Sequence, residues 1–292
     1  MLVVGASGPT GGAVARAVAR GGGVVRAIAR TPASEAKARE AGASEVVTAD
    51  LRDSQALETA LQGVDAAFYF SPRAVPDEAA LGRAFIGAAE RAGARKVVII
   101  SMIHSHAPIA NHQESLQVEE ALGRSSLKGV VLQPGMFMQT LPSLDRISDL
   151  GWVGRPYPVD KQLAWVDFAD VAEVAVRALL EDVMDNGSFE LCSEGMLSIA
   201  EIAELMSEAL DARIEAREIT LEEWAAVRGE DFSSPYRREC YAQMFEYFAR
   251  YGFKGGNSFV VSRLLGRSPT SFAAYLQRSP AHVRASAAVP VV

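Results

Sequence analysis

Short runs of apolar and β-branched residues alternate with stretches of helical periodicity through the first half of the chain. Leu2–Val4, Val24–Ala29, Val46–Thr48, Ala66–Phe70, Val97–Ser101 and Val130–Leu132 each read as a buried strand. Between them, Thr10–Arg20 sets Val14, Ala17 and Val18 on one helical stripe. Asp77–Ala92 does the same with Leu81, Phe85, Ala88 and Ala89. Asp53 or Ser54 caps a helix Gln55–Leu61 that closes at Gly63. Strands alternating with helices of this length predict βαβ units, hence an α/β architecture: a doubly wound parallel sheet with helices on both faces.

The rhythm breaks after Pro134, where Pro142, Pro156 and Pro158 punctuate a stretch without long periodicity. A helix Asp167–Leu180 follows, then a strand Ser188–Cys192. Next comes a helix Ser198–Leu210 with Glu201 three residues after Ser198, the pattern of a capping box. Arg213–Ile219 alternates and suits either the sheet edge or a separate ribbon. The last quarter is helical and rich in aromatics, among them Trp224, Phe232, Tyr241, Phe245 and Phe248, for which packing is the simplest reading. The tail from Ser279 is expected to be loosely held. This predicts a nucleotide-binding domain over residues 1–134, its sheet completed by segments within 160–195. A smaller, mostly helical substrate or interaction lobe covers residues 135–292.

Composition narrows the function. The 292-residue chain carries a net charge of −7, which argues against a nucleic-acid partner, since such a partner needs a cationic face. Cys192 and Cys240 fit neither a disulfide framework nor metal-ligand spacing, so no metal is expected. No apolar stretch is long enough to span a membrane, and Met1–Val4 runs straight into a glycine turn rather than a signal peptide. A cytoplasmic protein is the expectation.

The candidate chemistry begins at Gly5-Ala6-Ser7-Gly8-Pro9-Thr10-Gly11, between an apolar strand and a helix. In that setting the first glycine permits a tight turn, the second lets backbone approach a pyrophosphate, and the third brings helix and strand together. Free N–H groups at the helix N-terminus then face the phosphates. The cofactor-binding set here is Gly5, Ser7, Gly8, Pro9, Thr10 and Gly11. At the end of the second strand an NAD site places an acid for the ribose 2′-hydroxyl, whereas an arginine suits a 2′-phosphate. This strand ends Ala27-Ile28-Ala29-Arg30-Thr31, with no acid before Glu35. Arg30 offers the planar fork that fits a phosphate, so NADP(H) is favoured over NAD(H).

These segments, with Asp50-Leu51, Gly63–Pro72, Val97–Ser101 and Val118–Leu122, resemble the NmrA-like family of atypical short-chain dehydrogenases/reductases. Leu132–Met138, Trp165–Ala172 and Leu264–Phe272 extend the resemblance over nearly the whole chain. It implies a Rossmann-type, NAD(P)-binding fold in which Asp50 and Leu51 border the adenine and Phe70, Ser71 and Pro72 line the cofactor path. Ser101, Pro134 and Gly135 join the cofactor set, and Met136 and Phe137 lie toward the nicotinamide and substrate. Most short-chain dehydrogenases carry a Tyr-x-x-x-Lys pair, and many NmrA-like members keep the lysine. Anchored on Val118-Glu119-Glu120, those positions fall here on Asn111 and Ser115, and neither can do the original job. Gln133 stands where the family commonly has arginine.

His104, His106 and His112 cluster beyond the fifth strand. His104 and His112 are candidate catalytic acids or substrate contacts, imidazole titrating near neutrality, and polar loop residues are the plainer reading. Two functions follow. One is an NADPH-dependent reductase of a flat, apolar, conjugated or quinone-like molecule, which takes hydride directly without a strong proton donor. The alternative is a non-catalytic NADP(H)-binding redox sensor or regulator. A sugar-nucleotide epimerase is weakened by the same missing pair. The aromatic lobe suits a homodimer interface as readily as a pocket.

Overall fold

In the computed structural model, which describes residues 1–278, the chain opens with β1 (Leu2–Val3), α1 (Pro9–Arg20), β2 (Arg26–Ala29) and α2 (Pro32–Glu40). It continues through β3 (Glu45–Thr48), α3 (Ser54–Leu61), β4 (Ala66–Phe70), α4 (Glu78–Arg91), β5 (Lys96–Ile100) and α5 (Ala110–Arg124). Then come β6 (Lys128–Pro134), β7 (Met136–Phe137), a 3₁₀ turn (Met138–Thr140), α6 (Leu144–Leu150), β8 (Trp152–Arg155) and β9 (Leu163–Val166). After α7 (Phe168–Leu180) and β10 (Gly187–Leu191) follow β11 (Met196–Leu197), α8 (Ile199–Leu210) and β12 (Glu215–Glu218). The last elements are α9 (Leu221–Arg228), α10 (Pro235–Tyr251), α11 (Phe259–Leu265) and α12 (Phe272–Gln277). The tail from Ser279 lies outside the described residues.

Two compact units emerge. The nucleotide-binding unit comprises Met1–Arg73, Asp77–Gln133 and Phe168–Glu190. Its seven-stranded sheet has the order β10-β6-β5-β4-β1-β2-β3. The ladders β1/β2, β1/β4, β2/β3, β4/β5 and β5/β6 are all parallel, with Leu2 opposite both Arg26 and Ala67. After β3 the chain returns to the far side of β1, so strand order reverses between β1 and β4. In open α/β sheets, ligands bind at the carboxyl ends of the strands at that reversal.

Successive strand residues face opposite sides of the sheet, and here both sides are buried. Leu2, Val4, Ala67, Tyr69, Val97 and Ile99 pack with Leu57, Leu61, Phe85, Ala88, Val118 and Leu122 from α3, α4 and α5. Tyr69 stacks on Phe85 with ring centroids 4.8 Å apart. Among the remaining helices, α1 packs against α7, and α7 against β4 and β5, burying Val14, Val18, Val171, Val174 and Ala178. Lys96, fully buried at the start of β5, donates to the carbonyls of Ala178 at 3.1 Å and Glu181 at 2.6 Å. It also pairs with Asp182 and Asp185. The cation thereby satisfies carbonyls at the α7 C-terminus. Two expected strands depart from full burial: Val24 is exposed and lies before β2, and in β3 Val46 and Val47 are half-buried and Thr48 is exposed. β3 is the edge strand, paired on one side only, so its side chains receive less cover.

Among the described residues, the second unit comprises Ala74–Pro76, Pro134–Asp167 and the chain from Leu191 to Arg278. Within it β7 pairs parallel and β11 antiparallel with β9. The alternating segment around Arg213–Ile219 forms the separate ribbon, with β12 parallel to β8. The Ser198/Glu201 capping box at α8 is present. The carboxy-terminal aromatics form a packed cluster: Trp224 lies 4.8 Å from Tyr241 and 4.9 Å from Phe245, and Phe248 lies 4.8 Å from Phe253, ring to ring. Cys192 and Cys240 are both buried, and neither forms a disulfide among the described residues.

Candidate cofactor-binding site

The glycine turn leaves β1 at the point of strand reversal. Gly5 sits at φ +74°, the left-handed region that costs a side chain strain. Its carbonyl accepts from the Gly8 N–H at 2.9 Å, which folds the turn tight. Gly8 caps α1, Pro9 occupies the first turn with its preset φ, and no acid stands in that turn to compete for the helix N-terminus. A Cβ on Gly11 would lie 2.3 Å from the Gly5 carbonyl oxygen, so only glycine lets helix and turn meet. A Cβ at Gly8 would meet that oxygen at 3.3 Å.

The residues present fit the diphosphate of a dinucleotide. Thr10 is buried, and its Oγ1 has no hydrogen-bond partner among the described residues. It stands in the first turn, where the helix dipole and free N–H groups favour an anion. At the end of β2, Arg30 is exposed. Its own N–H and that of Thr31 both donate to Ser34 Oγ, and Thr31 caps α2. The guanidinium makes no ion pair among the described residues, which leaves its fork free for a phosphate. Asp50 is exposed and accepts from the Arg52 N–H at 2.8 Å, whereas Leu51 packs against the core.

Past β4, Phe70 and Pro72 are half-buried and Ser71 is buried. The next residue, Arg73, organises the end of β5. Its Nη1 donates to Ser115 Oγ at 2.7 Å and Glu78 Oε1 at 3.2 Å, and its Nη2 to the carbonyls of Ser101 at 2.9 Å and Ile100 at 3.3 Å. The guanidinium lies 5.2 Å from the Phe70 ring centroid, a cation–π distance. Ser115, at the family's lysine position, is thus a buried hydroxyl bridging a guanidinium and a carboxylate. A cation does reach this place, from another segment of the chain. Ser101 donates its hydroxyl to Glu119, and Gln133 Nε2 donates to both Glu119 oxygens at 3.0 Å.

The histidines separate. His104 adopts φ +55°, and its carbonyl accepts from the Ala107 N–H and from His112 Nδ1, each at 2.8 Å. The carbonyl can only accept, so Nδ1 of His112 carries the proton. Burial pushes the His112 pKa down to about 4, which holds the ring neutral at physiological pH. The rings of His104 and His106 meet edge to face, 5.9 Å apart.

The nucleotide-binding unit therefore sets Gly5–Gly11, Arg30, Asp50, Leu51, Phe70–Pro72, Ser101 and His104 at strand ends, in the loops that follow them or in the first turn of α1, and His112 in the first turn of α5. Pro134, Gly135, Met136 and Phe137 fall in the second unit, where the Gly135 N–H donates to Leu191 at 3.0 Å and Met136 pairs with Trp165. Sequence reasoning passed over Arg73, Glu78 and Glu119. Only the position of Arg73, directly after Phe70–Pro72, offered a signal.

The NmrA-like family model matches residues 1–276. Among curated proteins, the chain is 33% identical over 228 residues to an NAD(P)H azoreductase of Xenophilus azovorans, covering 76% of this chain and 78% of the relative. Two solved structures share the fold. One is an NADPH-dependent quinone oxidoreductase from Escherichia coli complexed with NADPH, at TM-score 0.76 and 22% identity, covering 94% of this chain and 98% of that one. The other is the Citrobacter sp. triphenylmethane reductase complexed with NADP(H), at TM-score 0.80 and 19% identity, covering 95% and 99%. With its parallel sheet, glycine turn and phosphate-ready helix N-terminus, this chain belongs to the NmrA-like family and carries its NAD(P)-binding α/β fold.

Proposed function

We propose that this protein is an NADPH-dependent reductase that delivers hydride to a conjugated or quinone-like small molecule without a tyrosine–lysine proton relay. The observation that carries this reading is Ser115 locked between Arg73 and Glu78, with His112 held neutral beside it in sequence. NADPH, when bound, supplies the hydride. Thr10 and the N–H groups of the first turn of α1 hold the diphosphate. Arg30 receives the 2′-phosphate, and Asp50 and Leu51 flank the adenine. With no lysine at position 115 and no tyrosine at 111, a carbonyl accumulating charge on oxygen receives no matched acid. A quinone or azo acceptor spreads the incoming negative charge over its own π-system and takes its proton from water, whereas a cationic conjugated acceptor is neutralised by the hydride and needs no proton. The site then has only to orient the two partners. Relatives named for azo and quinone reduction support the same substrate chemistry.

The test is NADPH oxidation by purified protein against a panel of quinones, azo compounds, triphenylmethane dyes and simple ketones. Turnover of the conjugated acceptors with none of the ketones is expected. Tight NADPH binding without turnover of any acceptor would overturn the reading in favour of a redox-sensing role.

A further inference from the structure

Four hydrogen bonds fix the Arg73 guanidinium in the nucleotide-binding unit. Nη1 donates to Ser115 Oγ and Glu78 Oε1, and Nη2 to the carbonyls of Ile100 and Ser101. The Phe70 ring, 5.2 Å away, covers one face. A guanidinium carries five N–H donors in a rigid fork, two on each Nη and one on Nε. The clamp therefore spends both Nη groups and leaves the Nε donor over. Nε makes no hydrogen bond among the described residues and is not sealed from solvent. Glu78, fully buried, already answers the charge at 3.2 Å. What remains is a fixed, polarised N–H rather than a surplus cation, which suits a neutral hydroxyl oxygen better than another phosphate.

Topology says which hydroxyl comes near. A dinucleotide whose diphosphate rests on the Gly5–Gly11 turn lies across the carboxyl ends of the strands. β2 and β3 flank β1 on one side, with Arg30 and Asp50 following them, whereas β4 and β5 flank it on the other. Adenosine taken to the first side leaves the second ribose over β4 and β5. Arg73 follows β4 and grips the carbonyls at the end of β5. Adjacent strands are about 4.8 Å apart, so it stands about 5–10 Å from the end of β1. The sugar that directly follows the diphosphate falls in that span.

We propose that Arg73, through its Nε donor, binds the hydroxyls of the ribose on the nicotinamide side of the dinucleotide. A cation from the loop after β4 thus serves the ligand from the place where Ser115 has replaced a lysine. The assignment rests on the dinucleotide-binding part of the reading above and not on turnover.

Isothermal titration of the full chain with NADPH, 2′-phospho-ADP-ribose and 2′-phospho-ADP tests the contact. The second ligand lacks only the nicotinamide ring, and the third ends at the diphosphate. Arg73→Lys keeps a cation for Glu78 but has no Nε donor. It is expected to weaken NADPH and 2′-phospho-ADP-ribose by about tenfold or more and to leave 2′-phospho-ADP within about twofold of wild type. Should Arg73→Lys fail to fold, Arg73→Met/Glu78→Leu removes both charges together and carries the same comparison. Equal losses for all three ligands would make Arg73 a purely structural clamp and overturn the proposal. An unchanged NADPH affinity, a loss confined to NADPH, or wild-type protein that binds none of the three would overturn it too. No acceptor is present in these titrations, so protein that binds as expected and turns over nothing overturns the reductase reading alone.

Discussion

Ser115 Oγ lies 2.7 Å from Arg73 Nη1 and 3.2 Å from Glu78 Oε1, so the site of an expected lysine is occupied by one link in a buried ion-pair bridge. Reinstalling the ancestral-looking pair should therefore fail. Ser115→Lys sets an ammonium against the Arg73 guanidinium, and Asn111→Tyr/Ser115→Lys should lower Tm without enabling ketone reduction. Arg73→Met should cost more, about 3–5 kcal/mol, because it leaves the fully buried Glu78 without its guanidinium. Chemical denaturation of the three variants reads both effects.

The glycine turn separates folding from binding. Gly11→Ala places a methyl 2.3 Å from a backbone oxygen and should destabilise by roughly 1–3 kcal/mol. Gly8→Ala, whose methyl meets the same oxygen at 3.3 Å, should fold with a small Tm loss and still bind NADPH poorly. A Gly8→Ala variant with undiminished affinity would remove the diphosphate from this turn.

Arg30 is exposed and its guanidinium makes no ion pair among the described residues, so Arg30→Ala should leave Tm unchanged. Charge-assisted hydrogen bonds to a phosphate are worth about 1.5–3 kcal/mol, which predicts an NADPH affinity loss of about ten- to a hundredfold. NADH affinity should barely move. Parallel titrations with the two nucleotides make the comparison.

His112 predicts a pH dependence of stability. Its folded pKa is pushed down to about 4 from 6.5, so between those values the unfolded chain binds the extra proton. Unfolding free energy should then fall as pH drops from 6.5 toward 4, by up to about 3 kcal/mol from this residue. The loss stops below the folded value. His112→Asn retains an N–H for the His104 carbonyl but cannot titrate. Its melting temperature should decline less than wild type between pH 7 and pH 4.5.

The parallel frame was legible because strands such as β1, β4 and β5 are apolar on both faces and helices such as α1 and α4 carry a stripe. The phosphate site was equally legible, since Gly5, Gly8 and Gly11 answer local steric demands. α2 is nearly invisible to periodicity: Ala38 is its only buried residue, and its local signals are the Thr31/Ser34 cap, Pro32 in the first turn and the charges at its ends. The bridge from Arg73 to Ser115 joins segments that only the sheet brings together. Ionic partners distant in sequence are set by topology, and topology is what a single chain's pattern encodes least directly.

The nucleotide-binding sheet is not written in one piece. Its last strand, β10, and the helix α7 that receives Lys96 are encoded after Pro134–Asp167, which belongs to the other unit. A ribosome must therefore finish that intervening stretch before the sheet can be covered. Until then the α1 face that packs on α7 and the Lys96 ammonium lack their partners. Completion of this sheet is thus postponed until β10 has been made, and a fragment ending near residue 134 inherits an open hydrophobic face and a stranded charge.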